Sequence, residues 1–294
     1  MIKGLLIVNN FIDKNIINRF NDLYEMLIDA FLKYNITLEM KTNAEILNII
    51  DDDINNYNFA LFWDKDVLLA KHLENKNIKV FNSSKAIEIC DDKAKTALAL
   101  ENHNIPMPKT IIAPFSFTNY QFDDINYDFI NEIINKIGFP MIIKQGKGSF
   151  GKQVYLVKNI KEMKEILKNI TNDSVIFQEF IDSSYGFDCR IMVCGSKYLG
   201  AVKRINHDDF RSNVLQGGEM ISYNPSKEFI DLALKVCNII GLDFAGVDIM
   251  FSKDNKPIFC EVNSNVHFKT FYKTTGINLA DEIAKYINNS FISQ

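Results

Sequence analysis

The sequence contains no apolar run long enough to cross a bilayer. A membrane-spanning helix needs about 20 consecutive apolar residues, and no stretch of the chain approaches that length. The first ten residues, M-I-K-G-L-L-I-V-N-N, hold only a very short apolar run, which predicts a buried strand and not a signal peptide. We therefore expect no association with a membrane.

Cysteine pairs and an excess of one charge are also missing. The five cysteines show no CxxC spacing, and an odd number without a signal peptide indicates reduced thiols in the cytoplasm. The formal net charge is −4, so nothing favours binding to nucleic acid. With 47% hydrophobic and 24% charged residues in 294, the chain resembles an ordinary soluble enzyme of two or more domains.

The N-terminal part lacks the glycine-rich phosphate loop that follows the first strand of dinucleotide-binding folds. It does alternate apolar strands with helical spacing up to about residue 82, which predicts an α/β unit with a small parallel sheet. The predicted strands are 4–8, 37–40, 59–63 and 79–81, and the predicted helices are 20–34 and 67–74.

The rest of the chain predicts an α+β arrangement. A polar-aromatic loop is expected over residues 114–128, and hairpins are expected to turn at Gly195-Ser196 and at 252–257. Helices are predicted over 84–103, 129–138, 161–168, 227–241 and from 279 onward. The other predicted strands are F-P-M-I-I-K-Q, Q-V-Y-L-V and V-I-F-Q-E-F-I.

Two carboxylates and an amide are expected to converge on the second hairpin, in which F-A-G-V-D-I-M-F and I-F-C-E-V-N flank the turn S-K-D-N-K-P. A turn centred on Asp254-Asn255 sets Asp248 opposite Glu261, with Cβ atoms about 5 Å apart, and Asn263 shares a strand face with Glu261. Because close carboxylates repel each other, a magnesium or manganese ion is the expected ligand. The alternative is a surface hairpin whose acids point to water.

A second candidate site is a glycine-rich segment, G-K-G-S-F-G-K-Q, that follows Lys144 and a predicted strand. Glycines let backbone N–H groups approach an anion, and a lysine adds a point charge. The segment lacks Walker spacing, so a plain hairpin turn is the alternative. Lys93, early in a predicted helix, is a second phosphate-binding candidate, or else a solvated helix lysine.

Further polar residues follow at the ends of later strands. Asp188 and Arg190 share a strand face after the segment Q-E-F-I, and Arg190 is suited to stabilise charge on a phosphoryl group or an oxyanion. Arg204 and D-F-R-S-N at 209–213 add cationic and amide donors. Each cluster alone is compatible with ordinary strand-edge charges, and only their order indicates a nucleotide site.

This order of motifs resembles the ATP-grasp superfamily, and within it the RimK-type ligases that add glutamate to the C-terminus of a ribosomal protein. The resemblance is close over about 85–290 and loose over 1–84. The matching stretches are D-K at Asp92-Lys93, K-x-G-x-G-S-F-G from Lys144 to Gly151, Q-E-F-I, G-x-D-x-R, D-F-R-S-N, A-G-V-D-I, E-V-N and K-T-T-G-I-N-L-A.

The resemblance implies three regions and a set of site residues. An N-terminal Rossmann-like pre-ATP-grasp domain would span 1–84, a central ATP-grasp subdomain with the glycine-rich loop 85–180, and a C-terminal subdomain with the metal site 181–294, with ATP between the last two. Asp248, Glu261 and Asn263 would bind two magnesium (or manganese) ions. The nucleotide site would comprise Lys93 and Lys144 at the phosphates, Ser149 and Gly151 in the loop, Gln178, Glu179, Phe180 and Ile181 at adenine, Asp188 at the ribose, and Arg211, Ser212 and Asn213.

The resemblance also implies a reaction. A substrate carboxylate attacks the γ-phosphate of ATP, and an amine then displaces phosphate from the acyl phosphate. The expected enzyme is thus an ADP-forming carboxylate–amine ligase with Arg190, Arg204 and Arg211 as catalytic candidates. It would join glutamate or another amino acid to a peptide, a protein tail or a small amine. A nucleotide-binding regulator without turnover and an ATP-grasp kinase for a small alcohol stay open, as does a homo-oligomer of two or four chains.

Two segments differ from the family pattern. The glycine loop usually continues G-I-G, whereas Gly151 is followed by Lys152-Gln153, which predicts a repositioned lid. E-V-N is usually followed by A-S-P-G, whereas residues 264–268 read S-N-V-H-F. That segment is expected to lie at the acceptor and to decide what is joined. Within it His267 is a candidate for binding a substrate carboxylate or acting as a base, or else a histidine bonded to backbone.

Overall fold

The computed structural model describes residues 2–12, 14–51, 53–116, 128–148, 151, 153–170, 173–212 and 218–292, without the side chains of 14–19 and 128. The strands of this part form three sheets, and helices pack on them. The mixed α/β class expected from the sequence is confirmed. No helix in the described ranges is long and apolar enough to span a bilayer.

The N-terminal sheet is parallel, with the strand order β2-β1-β3-β4. Every residue of F-A-L-F-W is buried, as expected for a parallel strand with both faces covered. The small parallel sheet predicted for this region is confirmed. Its elements are β1 (Ile2–Val8), α1 (Lys14–Leu32), β2 (Ile36–Thr42), α2 (Asn43–Ile46), a 3₁₀ turn (Ile54–Asn56), β3 (Phe59–Trp63), α3 (Val67–Asn75) and β4 (Lys79–Phe81).

The single helix predicted over 84–103 is wrong, because two helices occupy this range: α4 (Ser84–Cys90) and α5 (Lys93–Leu100). Asp92 stands between them in an extended conformation and its carboxylate accepts hydrogen bonds from the amides of Ala94 and Lys95. An aspartate that caps a helix in this way starts a new one. The break makes Lys93 the first residue of α5.

The second sheet is antiparallel, with the order β5-β8-β6-β7. Its shortest strand, β5, was not predicted, since it is only three residues long and follows two prolines. The central part of the predicted 114–128 loop lies outside the described residues. The elements are β5 (Thr110–Ile112), α6 (Asp128–Ile137), β6 (Met141–Gln145), β7 (Val154–Val157), α7 (Ile160–Leu167) and β8 (Val175–Glu179).

The third sheet is also antiparallel, in the order β11-β10-β9-β12-β13. Both predicted hairpins are present in it, while β11 and α9 were not predicted. The elements are a 3₁₀ turn (Asp182–Ser184), β9 (Phe187–Cys194), β10 (Lys197–Ile205), β11 (Glu219–Tyr223), α8 (Lys227–Ile240), β12 (Phe244–Phe251), β13 (Pro257–Asn263), α9 (Lys269–Thr275) and α10 (Leu279–Ile292).

Two apolar cores cover the two faces of the third sheet. On one face, Leu27 of α1 shares a core with Met192 of β9 and Ile283 of α10. On the other, Cys90 of α4 shares a core with Phe229 of α8. The packing thus joins segments on both sides of the predicted boundaries at 84/85 and 180/181, and the three-domain division stays a prediction.

Candidate active site

Asp248 and Glu261 face each other across β12 and β13 as predicted, but a β-bulge is the reason. The turn closes one position earlier than expected, so Phe251 pairs with Pro257 and Ile249 with Phe259. Continued regularly, this register would set Asp248 opposite Cys260. The pairing shifts between Ile249 and Asp248, which leaves Cys260 as an extra residue and restores the predicted pair. Such bulges often re-aim a side chain at a functional site.

Asp248 is neutralised by arginines. Its carboxylate accepts hydrogen bonds from Arg190 Nε and Nη2 at 2.6 and 2.7 Å, and Arg204 Nη2 lies 2.9 Å away. Burial alone would raise the pKa of Asp248, but the two arginines outweigh it and hold that pKa below its ordinary value. The arginines therefore offset part of the repulsion between carboxylates from which a magnesium or manganese ion was predicted.

Arg204 and Asp188 extend this network into the protein. Arg204 donates to both carboxylate oxygens of Asp188, one of which also accepts the Ser212 hydroxyl at 2.6 Å. Asp188, Arg204 and Ser212 are 5%, 3% and 8% exposed. The ribose contact expected of Asp188 and the direct catalytic role expected of Arg204 do not fit this burial, because both groups face each other and not an open cleft. The geometry instead makes Arg204 a positioning residue for Asp248.

A cleft between the second and third sheets brings several predicted site residues together. Lys93 and Lys144 line it with Gln178 and Glu261. Lys144 is only 8% exposed, and its ammonium has no hydrogen bond or ion pair among the described residues. The remaining lining residues are Cys90, Thr96, Ala97, Met107, Ile176, Phe259, Cys260 and Val262.

The start of α5 is fixed to the glycine-rich segment. The Asp92 carboxylate accepts the Ser174 hydroxyl at 2.9 Å, and the Lys93 amide donates to the Gly146 carbonyl at 3.0 Å. A Cβ on Gly146 would overlap with Ser174 Oγ, so only glycine allows this approach. Lys93 Nζ lies 3.5 and 3.4 Å from the carbonyls of Gly146 and Gly148. Both lysines are thus held at the same end of the cleft.

Of the four residues expected at adenine, Gln178 to Ile181 at the end of β8, only Gln178 lines the cleft. Gln178 is 6% exposed, and its Nε2 donates to Thr110 Oγ1 at 2.8 Å. Glu179 is exposed and exchanges hydrogen bonds with the Lys109 backbone. Phe180 meets the rings of Tyr185 and Phe210 edge-on, and the neighbouring Ile181 is partly exposed. The adenine contacts expected of this segment stay predictions.

Arg211 links the second and third sheets. Its guanidinium donates to Asp209 at 2.9 and 2.7 Å and to the Gly151 carbonyl at 2.6 Å. The residue expected at the nucleotide therefore holds the glycine-rich segment against the loop after β10. Ser149 and Asn213, both expected in the nucleotide site, lie outside the described residues.

Glu261 and Asn263 fit a magnesium ion. The Glu261 carboxylate is partly exposed and unpaired among the described residues. Asn263 could offer its Oδ1 to the ion, while its Nδ2, which is buried and without a partner among those residues, is a donor and suits a phosphate oxygen. The described ranges hold no group of three His, Cys, Asp or Glu residues suited to a metal, but magnesium usually binds through one or two carboxylates with waters and phosphate oxygens. Asp248 accepts three hydrogen bonds, which leaves one of about four acceptor positions.

His267 lies in the segment 264–268 that follows β13. Its ring meets the ring of Phe20 edge-on, with the centroids 5.4 Å apart. Phe20 belongs to α1, so the segment expected at the acceptor contacts the N-terminal region. Whether His267 binds substrate stays a prediction.

The sequence did not identify Ser174 or Asp209 as site residues. Ser174 lies 82 residues from its partner Asp92, and Asp209 holds Arg211, whose other contact, Gly151, lies 60 residues away. No local pattern signals contacts over such distances. The D-F-R spacing of Asp209 and Arg211 is visible in the sequence, but it does not show that these two residues bind each other.

Solved structures share this fold over the whole chain. D-alanine–D-alanine ligase from Bacillus anthracis, complexed with ATP, superposes with a TM-score of 0.76 at 18% identity and covers 100% of this chain and 98% of its own. The RimK domain protein ATP-grasp from Sphaerobacter thermophilus gives 0.72 at 19% identity, with 97% and 98% covered. At this identity the likeness establishes the fold alone.

Sequence relatives are closer. A Mycoplasma pneumoniae protein described as "Uncharacterized protein MG012 homolog" is 34% identical over 92% of this chain and 94% of its own. A "Probable alpha-L-glutamate ligase" of Legionella pneumophila is 34% identical, covering 74% of this chain and 70% of its own. Human "Beta-citrylglutamate synthase B" is 30% identical over 76% of this chain, which spans only 56% of that relative.

A family model supports the same assignment. The model of the RimK-like ATP-grasp domain matches residues 90–287, a range that contains the cleft, both lysines and the hairpin of Asp248 and Glu261. The chain therefore belongs to the RimK-like ATP-grasp family, whose members use ATP and magnesium, and it is a ligase of the carboxylate–amine type.

Proposed function

We propose that this ligase joins a carboxylate to the amine of an amino acid through an acyl phosphate, with release of ADP and phosphate. The observation that carries the proposal is Lys144, a lysine that lines the cleft, is only 8% exposed and is unpaired among the described residues. Burying a lone charge costs several kcal/mol, so the cleft is suited to a polyanion. Lys93 in the same cleft adds a second positive charge for the phosphates of ATP.

The reaction has two steps. A carboxylate oxygen of the first substrate attacks the γ-phosphorus of ATP, the bond from that phosphorus to the bridging oxygen breaks, and ADP leaves. The amine nitrogen then attacks the acyl carbon and loses a proton, and phosphate leaves with the electrons of the carbon–oxygen bond. Lys93 and Lys144 bind and orient the phosphates. Glu261 and Asn263 would hold magnesium, which supplies positive charge beside them.

Arg190 is the residue we assign to the developing oxyanion. Its Nε and Nη2 are held by Asp248, which fixes the guanidinium plane. Nη1 has no partner among the described residues, and the side chain is 15% exposed. A fixed donor of this kind stabilises charge that appears only in the transition state.

Glutamate is the amino acid that we propose. The support is the naming of relatives: one is a probable α-L-glutamate ligase and another a β-citrylglutamate synthase. A second metal ion, the use of manganese, a cytoplasmic location and a homo-oligomer stay predictions.

The test is a product analysis. The protein is mixed with ATP, magnesium, L-glutamate and, in turn, citrate, N-acetyl-L-aspartate or a peptide ending in glutamate. We expect ADP and phosphate, and hydroxylamine added in place of glutamate should trap the acyl phosphate as a hydroxamate. Lys144→Met should abolish both products, while Lys161→Met, the same change at an exposed helix position, should not.

Three other outcomes would contradict the proposal. AMP and pyrophosphate would indicate a different activation step. Tight ATP binding without turnover across the panel would favour a nucleotide-binding regulator. A phosphorylated alcohol without any hydroxamate would indicate a kinase, because only an acyl phosphate reacts with hydroxylamine in this way.

A further inference from the structure

Burial continues to alternate beyond the end of β13. From Glu261 to Phe268, every second residue is buried and the residues between them are partly exposed, although the backbone is a strand only up to Asn263 and bends at Ser264 and Asn265. The four partly exposed residues are all polar. We call them the polar row: Glu261, Asn263, Asn265 and His267.

The opposite side of this segment is anchored in the protein. Val266 is 1% exposed, packs against Gly246, and is followed by the fully buried Phe268, whose ring meets Trp63 edge-on. The Ser264 carbonyl accepts a hydrogen bond from Asn82 Nδ2 at 3.4 Å. The polar row is therefore held in place, and its first member, Glu261, lines the cleft.

The third member of the polar row has an unused acceptor. Asn265 Oδ1 is buried and has no hydrogen-bonding partner among the residues that the structure describes. A buried acceptor without a partner costs about 1–3 kcal/mol, and most such atoms in folded proteins are paired. A donor is needed here, and an N–H group of a ligand or an ordered water would supply it.

We propose that Asn265 Oδ1 accepts a hydrogen bond from the α-amino group of the amino acid that attacks the acyl phosphate. This inference rests on the proposed function and names the amine subsite within it. Asn265 lies two residues beyond Asn263, which would hold magnesium, so their Cα atoms are at most about 7 Å apart. A group bonded to Asn265 would therefore lie near the phosphates held by that ion.

Asn265 lies in the segment in which this sequence differs from the family pattern. E-V-N is followed here by S-N-V-H in place of A-S-P-G, so Asn265 and His267 are features of this chain. His267 closes the far end of the polar row through its contact with Phe20 of α1. The amino acid would thus lie between the cleft and α1, with its amine toward Asn265.

The test measures how amino acids compete with hydroxylamine for the acyl phosphate. Hydroxamate is measured with ATP, magnesium, hydroxylamine and a mixture of citrate, N-acetyl-L-aspartate and a peptide ending in glutamate, with a blank lacking those carboxylates. An equimolar mixture of the twenty common amino acids is then added in increasing concentration. In the wild-type protein the amino acids should compete and lower the hydroxamate yield.

Three variants are compared. Asn265→Leu should raise the amino-acid concentration for half-competition about three- to ten-fold, since a hydrogen bond from the attacking amine is lost. Asn265→Asp keeps the acceptor and should retain competition. Asn75→Leu, the same change at an exposed helix end, should behave as wild type. ATP binding and melting temperature confirm that each variant is folded.

The outcomes separate the two proposals. Equal competition in wild type and Asn265→Leu would overturn the role of Asn265 and leave an ordered water as its partner. Loss of competition in Asn265→Asp as well as in Asn265→Leu would mean that the residue donates and does not accept. Hydroxamate that no amino acid lowers in the wild type would exclude an amino-acid amine. If no carboxylate gave hydroxamate at all, the proposed function itself would fail.

Discussion

Arg190 and Asp248 face each other in register on the neighbouring strands β9 and β12 and are joined by two hydrogen bonds. Arg204 of β10 approaches the same carboxylate at 2.9 Å. The two arginines differ in exposure, since the side chain of Arg204 is 4% exposed and that of Arg190 is 15% exposed. Both neutralise Asp248, but only Arg190 stands at the edge of the network.

This difference predicts that the two arginines can be separated by mutation. Arg204→Met removes one member of a fully buried network and should lower the free energy of unfolding by about 3–5 kcal/mol. Arg190→Met leaves Asp248 paired with Arg204 and should cost about 1–3 kcal/mol. Chemical denaturation of the two variants measures both values.

Arg190→Met, the variant with the smaller expected loss of stability, should show a large loss of activity. We expect kcat for amide formation to fall about 10²–10³-fold, as when a donor to an oxyanion is removed, while the Kd for ATP changes little. A variant with normal kcat would show that Arg190 serves the fold alone. Equal unfolding free energies for the two variants would contradict the difference in burial.

Lys144 should lower the stability of the protein when ATP is absent. The residue is 8% exposed and its charge is unpaired among the described residues, so Lys144→Met should leave the melting temperature without ATP unchanged or higher. The rise in melting temperature on adding ATP and magnesium should disappear, because that rise reflects binding to the folded state. Thermal unfolding with and without ATP tests both signs, and Lys161→Met provides the control. A lower melting temperature without ATP would mean that Lys144 has a partner in the protein.

Local patterns predicted those parts of the fold whose partners are near in sequence. Strand alternation and turn residues located both hairpins, and Asp248 was set opposite Glu261, although the bulge at Cys260 was not foreseen. The break at Asp92 was missed because the helical spacing on both sides outweighed one capping residue. That residue decides where Lys93 points.

Contacts between distant residues were beyond such patterns. Arg190 and Asp248 are 58 residues apart, and Ser174 and Asp92 are 82 residues apart. The sequence therefore indicated two free carboxylates at the hairpin, whereas the structure neutralises one of them with arginines. The candidate residues were recognisable by their order, but their division into paired and unpaired groups depends on the packing of the sheets.

Glu39 on β2 predicts a loss of stability in acid. Hydrogen bonds from Lys3 first, then from Tyr57 and Lys41, lower the pKa of Glu39 to about 2. A carboxyl whose folded pKa lies below its unfolded value of about 4.3 stabilises the fold above that value, and the stabilisation is lost as the pH falls toward 2. Since the side chain is 35% exposed, the gain should stay below about 1 kcal/mol.

The measurement compares Glu39→Gln with wild type by thermal unfolding from pH 7 to pH 2. The variant should melt lower at pH 7, and the difference should shrink as the pH falls below about 4.3. Glu101→Gln, at an exposed glutamate, serves as the control and should show no such trend. A difference that is constant with pH would mean that the charge of Glu39 does not stabilise the fold.

Gly146 should tolerate a side chain only if Ser174 gives way. In Gly146→Ala the new Cβ would overlap with Ser174 Oγ and come within 2.7 Å of the Asp92 carboxylate, so the glycine-rich segment must move away from α5. We expect the Kd for ATP to rise about ten-fold or more, because Lys93 and Lys144 are then no longer held at one end of the cleft.

The double variant Gly146→Ala with Ser174→Gly removes the overlapping atoms and should regain part of the affinity. Gly241→Ala, where a Cβ meets nothing within 4 Å, should affect stability alone, and titration of each variant with ATP and magnesium measures the difference. Wild-type affinity in Gly146→Ala would show that the segment does not need its contact with Asp92 and Ser174 to bind nucleotide.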